Sequence, residues 1–133
     1  MVGYSGTPLA KKLGIVADAT VALVGAPDGV ITDLPPGVTV STTARGRADV
    51  VVAFFVRRAD YERRVASLSR MIFPAGGVWI AWPKRASGVA TDMTDHVVRA
   101  AALPLGLVDN KVCAIDDIWS GLRLVWRTER RGS

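Results

Sequence analysis

The chain has 133 residues, of which 50% are hydrophobic and 22% charged, and its formal net charge is +5. That length suits one compact domain able to bury roughly two thirds of its unfolded surface, and the composition excludes disorder as its organising state. Cys113 is the only cysteine and His96 the only histidine. An intramolecular disulfide and a Cys/His zinc site within one chain are therefore excluded, and no metal site is expected.

Residues 7–13 are predicted as a short helix, with Thr7 as its cap, Pro8 at the first helical position and Gly14 at its end. The surrounding stretch MVGYSGTPLAKKLG has no apolar signal core. No apolar run reaches the ~20 residues of a membrane span. The expected location is the cytoplasm, without a membrane partner. The Gly/Ser/Thr loop before Lys11 and Lys12 lacks P-loop spacing, so a helix docked across a sheet is favoured over a phosphate loop.

Residues 20–24 (TVALV) read as a strand buried on both faces, ended by Gly25, Pro27, Asp28 and Gly29. Residues 38–41 form a weaker strand after the Pro35-Pro36-Gly37 breaker. Residues 48–56 (ADVVVAFFV) are the strongest strand signal. A helix follows over 59–72, with Tyr61, Val65, Leu68 and Ile72 on one face and Arg63, Arg64 and Arg70 on the other. Pro74, Gly76 and Gly77 turn the chain into a strand over 78–82. Residues 92–105 are the next helix, closed by Gly106, and strands over 107–115 and 121–127 form a terminal hairpin. Residues 128–133 are expected to be a basic, disordered tail. The crossover from Gly25 to Pro36 is too short and too rich in Pro and Gly for a full helix. Strands alternating with helices imply an open α/β sheet with right-handed crossovers, mixed at one edge by the hairpin.

Residues 48–127, with DVVVAFF, a helix, FPAGGVWIAW, a second helix and a closing hairpin, resemble the second half of an S-adenosylmethionine-dependent methyltransferase domain. The Pro-x-Gly-Gly turn carries much of that likeness. The resemblance implies a reduced, three-layer Rossmann-like fold spanning residues 1–133 as one domain. Its mostly parallel sheet would have about six strands in the order 2-1-3-4-6-5, the last one antiparallel. The loop after the first strand reads Val24-Gly25-Ala26-Pro27-Asp28-Gly29 without G-x-G spacing. Val40-Ser41-Thr42-Thr43 stands where an acidic ribose ligand is required. The expectation is accordingly that no cofactor binds and that S-adenosylmethionine is not supported. A second resemblance rests on GYSGTPL, WPKxxSGVxTD and DxWSGL, at residues 3–9, 82–92 and 117–122. It is to an uncharacterised family of small bacterial proteins of actinobacterial type, and it brings no activity with it.

In such sheets ligands bind outside the carboxyl ends of the strands. That edge collects Gly25, Arg57 and the loop Lys84, Arg85, Ser87 and Gly88, which form the candidate anion site. Lys84 leads it, with Ser87 and the Gly88 N–H assisting; the plain alternative is a solvated turn. Thr91 and Asp92 read as caps of the following helix. His96 faces solvent, and Cys113 is expected in the core. Asp116 and Asp117 suit either an acid pair or turn chemistry, with Trp119 over the sheet edge or a pocket. The favoured function is a non-catalytic domain binding an anionic small molecule or a protein partner at the strand-end edge. The alternatives are a reduced transferase-like enzyme using Lys84, Asp92 and Asp117, and a nucleic-acid-associated protein. The scattered arginines lack the dense basic stripe with aromatic stacking that nucleic-acid binding needs. Nothing in the sequence sets the oligomeric state.

Overall fold

The structure, a computed structural model, describes residues 8–132. The predicted Thr7 cap and most of the GYSGTPL motif fall outside that range. Six strands form one sheet: β1 (Thr20–Val24), β2 (Thr39–Ser41), β3 (Val50–Phe54), β4 (Gly77–Pro83), β5 (Leu107–Ala114) and β6 (Trp119–Trp126). Their order is β2-β1-β3-β4-β6-β5. The first four are parallel, and β6 lies antiparallel between β4 and β5. The predicted α/β order and the antiparallel last strand are what the structure has.

Burial explains the strand signals. Every residue of β3 is buried, as are Gly77 to Ala81 of β4, because both sheet faces are covered there. One face carries α2 (Arg58–Met71) and α3 (Asp95–Ala102). Tyr61, Val65 and Leu68 of α2 and Val97 and Val98 of α3 pack on Val51, Ile80 and Leu122. The Tyr61 hydroxyl donates to the Val98 carbonyl at 2.7 Å and ties the two helices together. The other face is covered by the single turn α1 (Leu9–Lys12) and by Val30, Ile31 and Leu34 of the helix-free β1–β2 crossover. There Trp79 is fully buried, and its indole N–H donates to the Leu13 carbonyl at 2.9 Å.

Four local readings differ from the structure. The helix expected over 92–105 is α3 followed by a 3-10 turn, Leu103–Leu105. Pro104 has no N–H to continue the α pattern, so the last turn tightens before Gly106. The α3 cap is Thr94, whose side chain accepts the Val97 N–H, rather than Thr91 or Asp92. Cys113 is half-buried because β5 is an edge strand. Residues 128–131 make one short helical turn, α4 (Thr128–Arg131).

Candidate functional site

The carboxyl ends of β1, β3 and β4 meet at one edge of the sheet, and the β5–β6 turn returns to the same edge. Gly25 turns the chain directly after β1 at φ +68, where a Cβ would approach the Phe54 carbonyl oxygen to 3.2 Å. Only glycine takes that conformation without strain this close to β3. After β4, Lys84 is fixed by its N–H, which donates to the Ile118 carbonyl at 2.7 Å. Residues Arg85–Ser87 then form a 3-10 turn ended by Gly88 at φ +78. The Ser87 hydroxyl donates to the Lys84 carbonyl at 2.7 Å and accepts the Val89 N–H at 3.2 Å, which commits it to shaping this turn.

Two clefts flank this exit. The first, of about 550 Å³, lies on the α1 face and is lined by Lys12, Asp33, Lys84, Asp116 and Asp117 over an apolar base that includes Leu9 and Ile115. The second, of about 450 Å³, lies on the α2–α3 face and includes Trp82, Arg85, Gly88, Val89 and Met93. β4 ends at Pro83 and the chain enters the 3-10 turn directly after Lys84, so the alternation of the strand no longer applies, and Lys84 and Arg85 enter different clefts. The structure thus divides the predicted group. Lys84 lies in the first cleft and Arg85 and Gly88 in the second, while Gly25, Arg57 and Ser87 line neither.

Asp116 and Asp117 have unlike roles. Asp116 Oδ1 accepts the N–H groups of Ile118 and Trp119, both at 2.8 Å, which is the turn chemistry expected of this pair. Asp117 is exposed and has no hydrogen bond or ion pair among the described residues. Asp33, from the β1–β2 crossover, receives the Ala10 N–H at 3.3 Å and so orients its carboxylate at the start of α1. Trp119 packs edge-on against Phe54 with ring centroids 5.1 Å apart. Asp92 stands away from Lys84 and Asp117: its carboxylate accepts the Arg58 N–H at 2.7 Å. The trio Lys84, Asp92 and Asp117 does not line one cleft. Sequence reasoning missed Lys12 and Asp33 as partners of Lys84, because only the packing of α1 and the crossover on one sheet face brings them together.

This architecture recurs in solved structures. A SAM-dependent methyltransferase from Aquifex aeolicus superposes with a TM-score of 0.62 at 12% identity, over 87% of this chain and 86% of that one. A ribosomal protein methylase from Lactobacillus delbrueckii subsp. bulgaricus gives 0.57 at 15% identity, over 90% and 77%. Magnesium protoporphyrin IX methyltransferase from Synechocystis PCC 6803 with bound SAM gives 0.57 at 10% identity, over 90% and 74%. The same enzyme with bound SAH matches at 0.50 and 15% identity, over 68% of this chain but only 51% of that one. The fold is methyltransferase-like. No family model and no curated protein matches the chain, so the small-bacterial-family resemblance gains no support from them.

The exclusion of S-adenosylmethionine drawn from the first-strand loop is overturned. Structures of this same fold hold SAM or SAH. The exclusion rested on the missing G-x-G spacing and on the missing acidic residue at the end of the second strand, and neither pattern is a requirement that the shared fold imposes. As for membranes, no helix among the described residues is long and apolar enough to cross one.

Proposed function

We propose that the chain is a reduced methyltransferase-fold domain that binds S-adenosylmethionine, or a small molecule of the same charge pattern, in the Lys84 cleft. The observation that carries this reading is the cleft's mixed lining: Lys12 and Lys84 face Asp33, Asp116 and Asp117. A purely anionic ligand, as the sequence suggested, would meet more carboxylates than ammonium groups. S-adenosylmethionine carries a carboxylate, an ammonium and a sulfonium, together with ribose hydroxyls that suit carboxylate acceptors. Lys84 or Lys12 would take the carboxylate, and Asp33 and Asp117 the cationic and hydroxyl groups. The volume is within the usual range for small-molecule pockets, about 300–1,000 Å³. The bound group supplies an electrophilic methyl; the chain's own part in this reading is to bind and orient it.

The test is thermal unfolding with S-adenosylmethionine, methionine, adenosine and inorganic phosphate. A ligand that binds only the native state raises the melting temperature. S-adenosylmethionine is expected to raise it most, and a Lys84→Ala, Asp117→Asn double variant to abolish the rise. No rise at millimolar S-adenosylmethionine refutes the reading. An undiminished rise in the double variant moves the site elsewhere.

A further inference from the structure

The second cleft is chemically unlike the first and lies across the sheet from it. Trp82 is half-buried and Met93 is buried, while Val89 is 42% exposed at the rim. Two donors in the lining, both open to solvent, have no partner among the described residues. The indole N–H groups of Trp79 and Trp126 donate to the Leu13 and Ser69 carbonyls. That of Trp82 donates to no group among the described residues. Arg85, exposed at the rim, makes no ion pair among them, as is true of most of the arginines, and so is free to meet a ligand. The other charge of the lining, Asp95, is engaged by Arg99 at 2.7 Å, and that hydrogen bond holds its carboxyl below its ordinary pKa.

We propose that this cleft binds a planar aromatic carboxylate, with its ring against Trp82 and its carboxylate on Arg85. The apolar surface of Trp82, Val89 and Met93 favours a ring over a sugar or a polar chain. A guanidinium pairs a carboxylate in a planar fork. One unpaired cation beside the Asp95 carboxylate favours a monoanion over a phosphate dianion, which would meet a like charge. The inference does not depend on the ligand of the Lys84 cleft.

The test is a ¹H–¹⁵N NMR titration of the whole chain with 2-naphthoate, compared with 2-naphthol and acetate. The Trp82 indole signal is assigned by its loss in Trp82→Phe. Naphthoate is expected to move that signal and the Val89 and Thr91 amides. Arg85→Ala, an exposed change that leaves the core intact, should weaken binding about tenfold. Lys84→Ala should leave it unchanged. The proposal is overturned if naphthol binds as tightly, if acetate produces the same shifts, if Arg85→Ala has no effect, or if the shifts fall on Asp33 and Asp117.

Discussion

The Asp92 carboxylate accepts the backbone N–H of Arg58 at 2.7 Å, so the segment before α3 closes the first turn of α2. Arg57, at the N-cap position of α2, makes no capping bond of its own. Asp92 therefore supplies, from 34 residues away, what a local Ser or Asp supplies in other helices. Asp92→Ala should destabilise the fold by about 1 kcal/mol, as loss of a cap does. Asp92→Asn, which keeps an acceptor oxygen, should lose less. Urea midpoints of the two variants check this; equal stabilities for wild type and Asp92→Ala would show that water replaces the carboxylate.

Tyr61 makes stability sensitive to alkali. Burial, with a smaller contribution from Glu62, raises the pKa of its hydroxyl well above the ordinary tyrosine value. An unfolded tyrosine ionises near pH ~10. The contribution of Tyr61 is fully present below that pH and falls as pH rises toward the native value, because only the unfolded chain releases the proton. Arginines and lysines also titrate in this range, so the measurement is a difference. Above pH ~10 the stability of wild type should fall more steeply than that of Tyr61→Phe. Parallel slopes would show that the hydroxyl ionises without unfolding.

Gly76 is the tightest glycine against backbone. A Cβ there would lie 2.6 Å from the Asp49 carbonyl oxygen and 3.1 Å from that of Ala48. The Asp49 carbonyl cannot move freely: it accepts the Gly77 N–H at 3.0 Å, and the Asp49 carboxylate accepts the Thr20 N–H at 2.8 Å. Gly76→Ala should therefore displace the start of β4 and cost about 2–3 kcal/mol, in the range of overpacked cores. Gly88→Ala is the comparison. Nothing lies within 4 Å of its Cβ position, so only its positive φ opposes the change and the loss should be smaller. Calorimetry on both variants gives the ranking, and the reverse order would refute the packing argument.

These contacts show which parts of the molecule the sequence could carry. The runs TVALV, DVVVAFF and GVWIAW are legible because a strand covered on both faces needs continuous apolar residues. The Pro-x-Gly-Gly turn is legible for a reason now visible in Gly76. The capping residues are not. Thr91, Asp92 and Thr94 all have suitable side chains, yet Thr94 caps α3, Asp92 serves α2, and Thr91 donates to the Val56 carbonyl. Only the packing of α2 beside α3 separates those roles. The candidate anion group is divided between two clefts for a similar reason. Lys84 and Arg85 are adjacent in the chain, but the 3-10 turn that begins at Arg85 breaks the strand alternation, and the two line clefts on opposite sides of the sheet. Asp33 carried no signal at all, because its position depends on the path of a crossover without regular structure.

The lining of the Lys84 cleft predicts an order of affinities. S-adenosylmethionine and S-adenosylhomocysteine share the ribose, ammonium and carboxylate and differ in the charge at sulfur. In the proposed binding mode Lys84→Ala removes a partner of the shared carboxylate, so it should weaken both ligands equally. Asp117→Asn removes a negative charge that has no partner of its own among the described residues. It should weaken the sulfonium ligand more, narrowing the ratio of the two affinities by a few-fold, the size expected of one exposed charge pair. Raising the salt concentration should narrow the wild-type ratio in the same direction, since exposed charges are screened. Calorimetric titration of both ligands against the three proteins measures the ratio, and a ratio that Asp117→Asn leaves unchanged would show that Asp117 does not face the sulfonium.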